Sequence, residues 1–544
     1  MRRLLLSVCA AAIAAGSGVA AAAARPGPGD VAKQCYSQAA AAPDNRMALP
    51  CKFAEGVTNQ AGADCRVADD ADDRCSAIDG REISEAEIRS YEQSWVHRAL
   101  GLQRGIDATA PLIEEQIPHT HNTFNASAYA VPANGSAPSY YPTLTNQDPN
   151  QVYSISDQMN MDIRAIELDL HWVPSPYGMP ATHGYWVTMC HGDGQQAPGA
   201  GVYVHVGCTD DRPAQDGFGE VASWLRAHPD QFLLVYLENQ MYDASPVAPA
   251  SQAHDLAAAM LQQAFGSLVY RPTGVAPGRC ATLPYGTSRA QMMATGARVL
   301  LVGSCGPGAW SSWVFQRGST WDESGDPRTY STNDPNDCSR DQRLRATDQS
   351  FRREFEDSTF VSAATGSGPQ PAMSPDDVAL MVRCGVNIIG MDQLRPQDGR
   401  LAALVWSWAV NEPSAAGSCA AQGSDGRFRA TDCGSARPAA CRTPDSAWHV
   451  TTPVAWRESF DACAEQFPGS SFSLPVNGFR NWQLEGARSG GSVWLDYAKV
   501  AGVWTPFAAK PGSAGEPTGD HGKHLGWGRG QGHGGDVPRR ASLR

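Results

Sequence analysis

The sequence predicts an α/β fold, an irregular TIM-type (β/α) barrel with a disulfide-rich N-terminal extension and a small C-terminal Cys/Trp-containing region. Three observations predict it. From about residue 105 to 410, short apolar runs alternate with longer segments, as strands separated by helices and loops do. Several of those runs end in carboxylate or imidazole side chains, and barrel enzymes gather their chemistry at the carboxyl ends of the strands. Four cysteines fall in residues 25–104 and four more in 413–510, outside the alternating stretch.

The chain opens on "MRRLLLSVCAAAIAAGSGVAAAA", two arginines followed by a short apolar stretch and small residues. This is expected to be a secretory signal peptide over 1–24; Gly16, Ser17 and Gly18 interrupt a run already too weak for a membrane span. Cys9 leaves with it, and the remaining fourteen cysteines, an even number in an exported chain, read as disulfides. No CxxC pair occurs, which argues against a zinc ribbon or a thioredoxin-type centre. A secreted or periplasmic location follows. The net charge of −13 excludes nucleic acid as a main partner and gives no bulk attraction to an anionic lipid surface.

Residues 25–104 form the Cys-rich extension; the acidic run "DCRVADDADDRC" lacks the glycine and glutamate of a calcium loop and reads as a solvated segment. The barrel is expected over 105–412. Its strand candidates are "RAIELDLHW" (164–172), "YWVTMCHG" (185–192), "FLLVYLEN" (232–239), "ARVLLVGSC" (297–305), "VNIIGMDQ" (386–393) and "LVWSWAV" (404–410). "EVASWLRAHPD" spaces Val221, Trp224 and Leu225 for a helix ending before Pro229. Strand, helix, strand in that order predicts a parallel sheet and, repeated, a closed barrel. "VPSPYGMPATHG" holds too many prolines and glycines for a helix, so the barrel should be irregular there.

Alternate residues of a strand share a face. In "AIELDLHW" this places Ile166, Leu168 and Leu170 on one side and Glu167, Asp169 and His171 on the other; in "FLLVYLEN" it groups Phe232, Leu234 and Tyr236 with Glu238. Charged groups inside a barrel need partners or a cation, and an ion pair with Arg164 is one bland outcome for Glu167 and Asp169. His121 with Asn122 in "IPHTHNTFN", and His191 closing "YWVTMCH", complete four polar endings. Asn122, Glu167, Asp169 and Glu238 offer only oxygens, which suits a hard cation such as Ca²⁺. His121 and His191 then stand outside the ligand set as acid and base, an arrangement matched to a phosphodiester. His119 and His171 read as structural, and His205 and His228 as surface residues.

"HNTFN", "IRAIELDLHW" and "LLVYLENQ", in this order, resemble the X domain of phosphoinositide-specific phospholipase C, over roughly 110–245. The resemblance implies an irregular α/β barrel that cleaves a phosphoinositide through attack by the inositol 2-hydroxyl. It implies His121 and a second histidine as catalytic groups, with Asn122, Glu167, Asp169 and Glu238 as Ca²⁺ ligands. For the second histidine "CHGDG" offers His191 and "ATHGYW" offers His183; the general base is Glu238, Glu167 or a histidine. It also implies a lipid substrate met at a peripheral membrane surface. Asp392 and Arg395 in "GMDQLRP" are candidate substrate contacts.

The alternatives are a zinc enzyme through His119, His121, His171 and His191, a glycerophosphodiesterase-like barrel, or a catalytically silent secreted surface- or carbohydrate-binding protein. The chain lacks the His-Arg-Gly type element of a glycerophosphodiesterase. After the boundary near 413, "CAAQGSDGRFRATDCGSARPAACR" and "VWLDYAKVAGVW" are similar to the closing and inner segments of a C-type-lectin-like domain, but in the wrong order for one intact domain. Residues 413–510 are expected to be a disulfide-stapled region and 511–544, rich in Gly, His and Arg, a disordered tail.

Overall fold

The computed structural model describes residues 85–126, 150–174, 184–191, 212–243, 248–324, 350–357, 373–488 and 490–507, with residues 74–75, 82–83, 128, 193–196 and 203–206 beside them. The leader, most of the Cys-rich extension, His183 and the tail lie outside the described residues.

The β-branched and leucine-rich runs become strands because both of their faces are covered. In chain order these are β1 Ile117–Thr120, β2 Ala165–Pro174, β3 Tyr185–Met189, β4 Leu233–Gln240 and β5 Val299–Gly303. There follow β6 Phe315–Gln316, β7 Trp321–Ser324, β8 Phe351–Phe355 and β9 Ile388–Met391. Eight of them form a curled sheet in the order β6-β5-β4-β2-β1-β9-β8-β7, every neighbouring pair parallel. This is an irregular TIM-type barrel. The irregularity falls where the proline-rich segment predicts it: β3 returns antiparallel to β2.

Closure does not follow the expectation. Among the described residues β6 and β7 do not pair; β6 is two residues long and offers too few backbone groups for a ladder. "LVWSWAV" is not a strand either. Trp408 makes one isolated bridge to Phe428, and the rings of Trp406 and Trp408 stand edge-on to Phe428 at 5.9 and 6.0 Å. Their alternate spacing mimics a strand, but docking onto the C-terminal region takes the segment.

Helices cover the outer face: α1 Glu85–Glu92, α2 Trp95–Asp107, α3 Ala214–Ala227, α4 Ala250–Phe265, α5 Pro375–Cys384 and α6 Gly399–Ala403. Ser374 and Asp377 form a capping box at the start of α5 and Gly385, at φ 84°, closes it. Leu168, Leu170 and Val235 of the sheet share one apolar cluster with Phe218, Leu225, Leu261 and Met381 of the helices. Ala99, Leu100 and Ile106 of α2 belong to that same cluster, so packing joins residues upstream of 105 to the barrel. A second cluster fills the lumen, with Ile117, Ala165, Leu234, Leu300, Phe351 and Ile388.

The C-terminal region builds its own sheet. β10 Cys419–Gln422, β11 Phe428–Thr431, β12 Val493–Val500 and β13 Val503–Pro506 lie in the order β11-β10-β12-β13. The two segments that stand in the wrong order along the chain are therefore direct neighbours, β10 on β12; strand pairing depends on proximity in space rather than sequence order. Disulfides Cys419–Cys433 and Cys441–Cys463 staple this unit, and Cys280–Cys305 staples the barrel. Arg480 holds Glu114 at 2.6 Å across the contact between the two.

Candidate active site

Strand parity carries the lumen from an apolar floor to a polar mouth. Ala165, Glu167 and Asp169 lie opposite Leu234, Tyr236 and Glu238 in the parallel register of β2 and β4. β1 supplies His119, with His121 just beyond its end. The turn after β1 places Asn122 at φ 45°, the left-handed region that Asn tolerates better than most residues. There its backbone N–H donates to Glu167 Oε2 at 3.2 Å. Thr123 Oγ1 accepts from the Glu167 N–H at 2.9 Å and donates to the Thr120 carbonyl at 2.8 Å, locking the turn to β2.

The structure thus brings five of the six sequence-predicted residues to one place. Carboxylate oxygens of Glu167, Asp169 and Glu238 lie within 4.8 Å of one another, and His121 Nε2 is 3.9 Å from Glu167 Oε2. His191 arrives by another route than a parallel strand end. It follows the antiparallel β3, whose next residue, Cys190, donates its N–H to the Asp169 carbonyl at 3.3 Å, and it is buried.

Three features depart from the sequence reading. Arg164 does not pair with Glu167 or Asp169; it binds Gln231 Oε1 at 2.8 Å and the carbonyls of Met159 and Ile163. The partner of Glu167 is Arg353 of β8, which also approaches His119 Nε2 at 3.4 Å and stacks its guanidinium over Tyr236 and Phe355. Asp392, expected as a substrate contact, sits behind His121, its Oδ1 3.4 Å from His121 Nδ1. Asn150 Nδ2 donates to Asp392 Oδ2 at 3.1 Å and Gln151 Nε2 to the His121 carbonyl at 2.6 Å.

The electrostatics follow from this geometry. Burial works against a charged His121, but the Glu167 and Asp392 carboxylates outweigh it and hold the imidazole at about 9. Burial dominates at His119 and lowers it. Glu167 pays for its burial through Arg353 and His121, which hold its carboxyl well below the usual range. Asp169 and Glu238 go the other way: burial raises both, and neighbouring carboxylates raise them further.

A resident cation can be tested against these residues. Asn122 Oδ1 and Asp169 Oδ1 are buried without a hydrogen-bond partner, and the cluster sets three carboxylates against the positive charges of Arg353 and His121. Oxygen donors with unmet demand fit a hard cation. The four-histidine zinc set is not assembled among the described residues. Among the described residues, the one other group able to hold an ion joins His121 to Asp357 and Asp392, and His119 Nδ1 is already engaged by the Ala165 carbonyl at 3.0 Å.

Residues 80–398 match the family model described as the Rv2075c PI-PLC-like domain. Uncharacterized proteins Rv2075c and MT2135, from two strains of Mycobacterium tuberculosis, are each 37% identical to this chain over 467 residues, covering 83% of it and 89% of the relative. Solved structures that align with it include the phosphatidylinositol-specific phospholipase C of Listeria monocytogenes, at 12% identity over 56% of this chain and 98% of that one, TM-score 0.33. Another is a variant of the Staphylococcus aureus enzyme, at 10% identity over 57% and 99%, TM-score 0.35.

Proposed function

The chain belongs to the Rv2075c PI-PLC-like domain family, and on that premise we propose that it is a secreted phosphoric diester hydrolase cleaving a phosphoinositide-type lipid. The observation that carries the proposal is the meeting of Glu167, Asp169 and Glu238 oxygens with His121 at one barrel mouth, where the Asn122 backbone also binds Glu167. When bound there, a hard cation such as Ca²⁺ supplies positive charge that offsets the charge developing on the phosphate.

The chain's own groups handle the protons. Glu238 takes the proton of the inositol 2-hydroxyl, whose oxygen attacks phosphorus. The bond from phosphorus to the glycerol oxygen breaks, and His191 delivers a proton to that oxygen. His121, set between Glu167 and Asp392, faces the charge on the five-coordinate phosphorus. The products are diacylglycerol and an inositol cyclic 1,2-phosphate. Disulfides among the described residues support an oxidising, extracytoplasmic location, and no described helix is long and apolar enough to cross a membrane. With a phosphoinositide-type lipid as substrate, the enzyme would meet it at a peripheral membrane surface.

The test is an assay of the full chain on phosphatidylinositol and on glycerophosphodiesters, after chelation and with Ca²⁺ or Zn²⁺ restored. Activity on phosphatidylinositol restored by Ca²⁺ is expected; full activity in chelator removes the cation from the account, and cleavage of glycerophosphodiesters alone reassigns the substrate.

A further inference from the structure

We infer that Glu356 and Arg400 are positioning residues for His121, acting through Asp392; the inference rests on the phosphodiesterase reading above. Asp392 follows β9 directly, and Gln393 after it has φ 52°, so the chain turns sharply at the residue that backs the histidine. One buried ion pair grips that residue from both sides. The Asp392 N–H donates to Glu356 Oε2, and Arg400 Nη2 donates to the Asp392 carbonyl at 2.9 Å. The two side chains are joined to each other, Arg400 Nη1 lying 3.0 and 2.8 Å from the Glu356 oxygens. Glu356 Oε1 also accepts the Met373 N–H, and Asp398 holds the Nε edge of Arg400, at 3.0 Å to each of its oxygens.

Glu356 is 1% exposed and Arg400 6%. Apolar residues of the same volume would serve core stability as well as a buried ion pair does. The ion pair adds direction, because it fixes the N–H and the C=O of a single residue. The Asp392 carboxylate is thereby aimed at His121 Nδ1. An acceptor at Nδ1 fixes the ring's orientation and leaves Nε2 facing Glu167 and the acid cluster. Displacing Asp392 by an ångström lets the ring rotate, and errors of that size are costly in catalysis.

The experiment uses the full chain, Ca²⁺ and phosphatidylinositol vesicles. Glu356→Gln, Arg400→Lys and the double variant Glu356→Gln with Arg400→Met are compared with Glu114→Gln, which breaks the buried Glu114–Arg480 pair away from the mouth. Ring nitrogens of His121 are followed by ¹⁵N NMR, assigned with His121→Gln. We expect kcat to fall about 10- to 100-fold in Glu356→Gln and in the double variant, with KM within about twofold. Their His121 ring signals should shift and broaden as the ring loses its single orientation. Arg400→Lys should recover part of both, and Glu114→Gln should change neither while lowering the melting temperature. A folded double variant with unchanged kcat and unchanged His121 signals overturns the inference, as does an equal kcat loss in Glu114→Gln. If the parent cleaves nothing, the phosphodiesterase reading fails, and the ring spectra still decide whether the pair positions His121.

Discussion

Asp169 and Glu238 lie directly opposite one another on the adjacent parallel strands β2 and β4, with carboxylate oxygens inside the same 4.8 Å cluster as Glu167. Both carboxyls are raised by burial and by neighbouring carboxylates, Glu238 and Glu167 at Asp169 and Glu167 at Glu238, and the proposed cation would relieve that repulsion. Asp169→Asn should stabilise the protein in chelator by about 1–2 kcal/mol, the scale of one pKa unit. It should also abolish the gain from Ca²⁺, which for the parent is about 2.7 kcal/mol at a hundredfold excess over Kd. Thermal melts with and without Ca²⁺ check both; an undiminished Ca²⁺ shift in the variant removes Asp169 from the ligand set.

Arg353→Met leaves Glu167 buried without its guanidinium partner. Breaking a buried pair in this way costs about 3–5 kcal/mol. Denaturant unfolding in chelator should show that loss, and saturating Ca²⁺ should recover part of it by supplying the missing positive charge. Equal losses in both conditions would mean that the guanidinium and the cation do not serve the same carboxylates.

Gly390 lies where β9 passes the lumen, and a Cβ added there would sit 2.8 Å from His119 Cδ2 and 2.8 Å from Phe355 Cβ. Gly390→Ala should therefore destabilise by about 1–3 kcal/mol through overpacking. Urea unfolding measures this directly, and a neutral substitution would show that His119 and Phe355 yield freely.

The inward set was legible where the pattern is local. Period two along β2 and β4 aims Glu167, Asp169 and Glu238 at one lumen, and no long-range knowledge is needed to see it. Arg353 was not legible: "FRREF" carries charge on both faces and does not look like a barrel strand. A buried arginine becomes reasonable only once Glu167, 186 residues away, is known to face it. Asp392 was noticed for its chemistry, but its approach to His121 was not legible, because it depends on β9 lying beside β1. His191 was chosen as a strand end, and it follows an antiparallel return whose next residue, Cys190, meets the Asp169 carbonyl. The C-terminal sheet escaped because β10 and β12, far apart in sequence, pair in space.

Asp496 in the C-terminal sheet is 5% exposed, and burial raises its carboxyl to about 8, partly offset by the Phe507 N–H it accepts at 3.1 Å. Folded chains then keep the proton while unfolded chains release it near pH 4. The contribution is complete below about pH 4 and is lost as pH rises toward 8, by at most about 5 kcal/mol. Asp496→Asn should flatten the stability profile over that window, checked by unfolding at stepped pH; an unchanged slope excludes Asp496 as its source.

The central claim is that His121 acts in cleavage of a phosphoinositide by its own 2-hydroxyl. The most direct measurement is ³¹P NMR of phosphatidylinositol vesicles with Ca²⁺ and either the parent protein or His121→Ala. The parent should yield an inositol cyclic 1,2-phosphate signal, and the variant should form it about 10²- to 10⁴-fold more slowly. A variant as fast as the parent, or a parent whose first product is acyclic phosphate, contradicts the account.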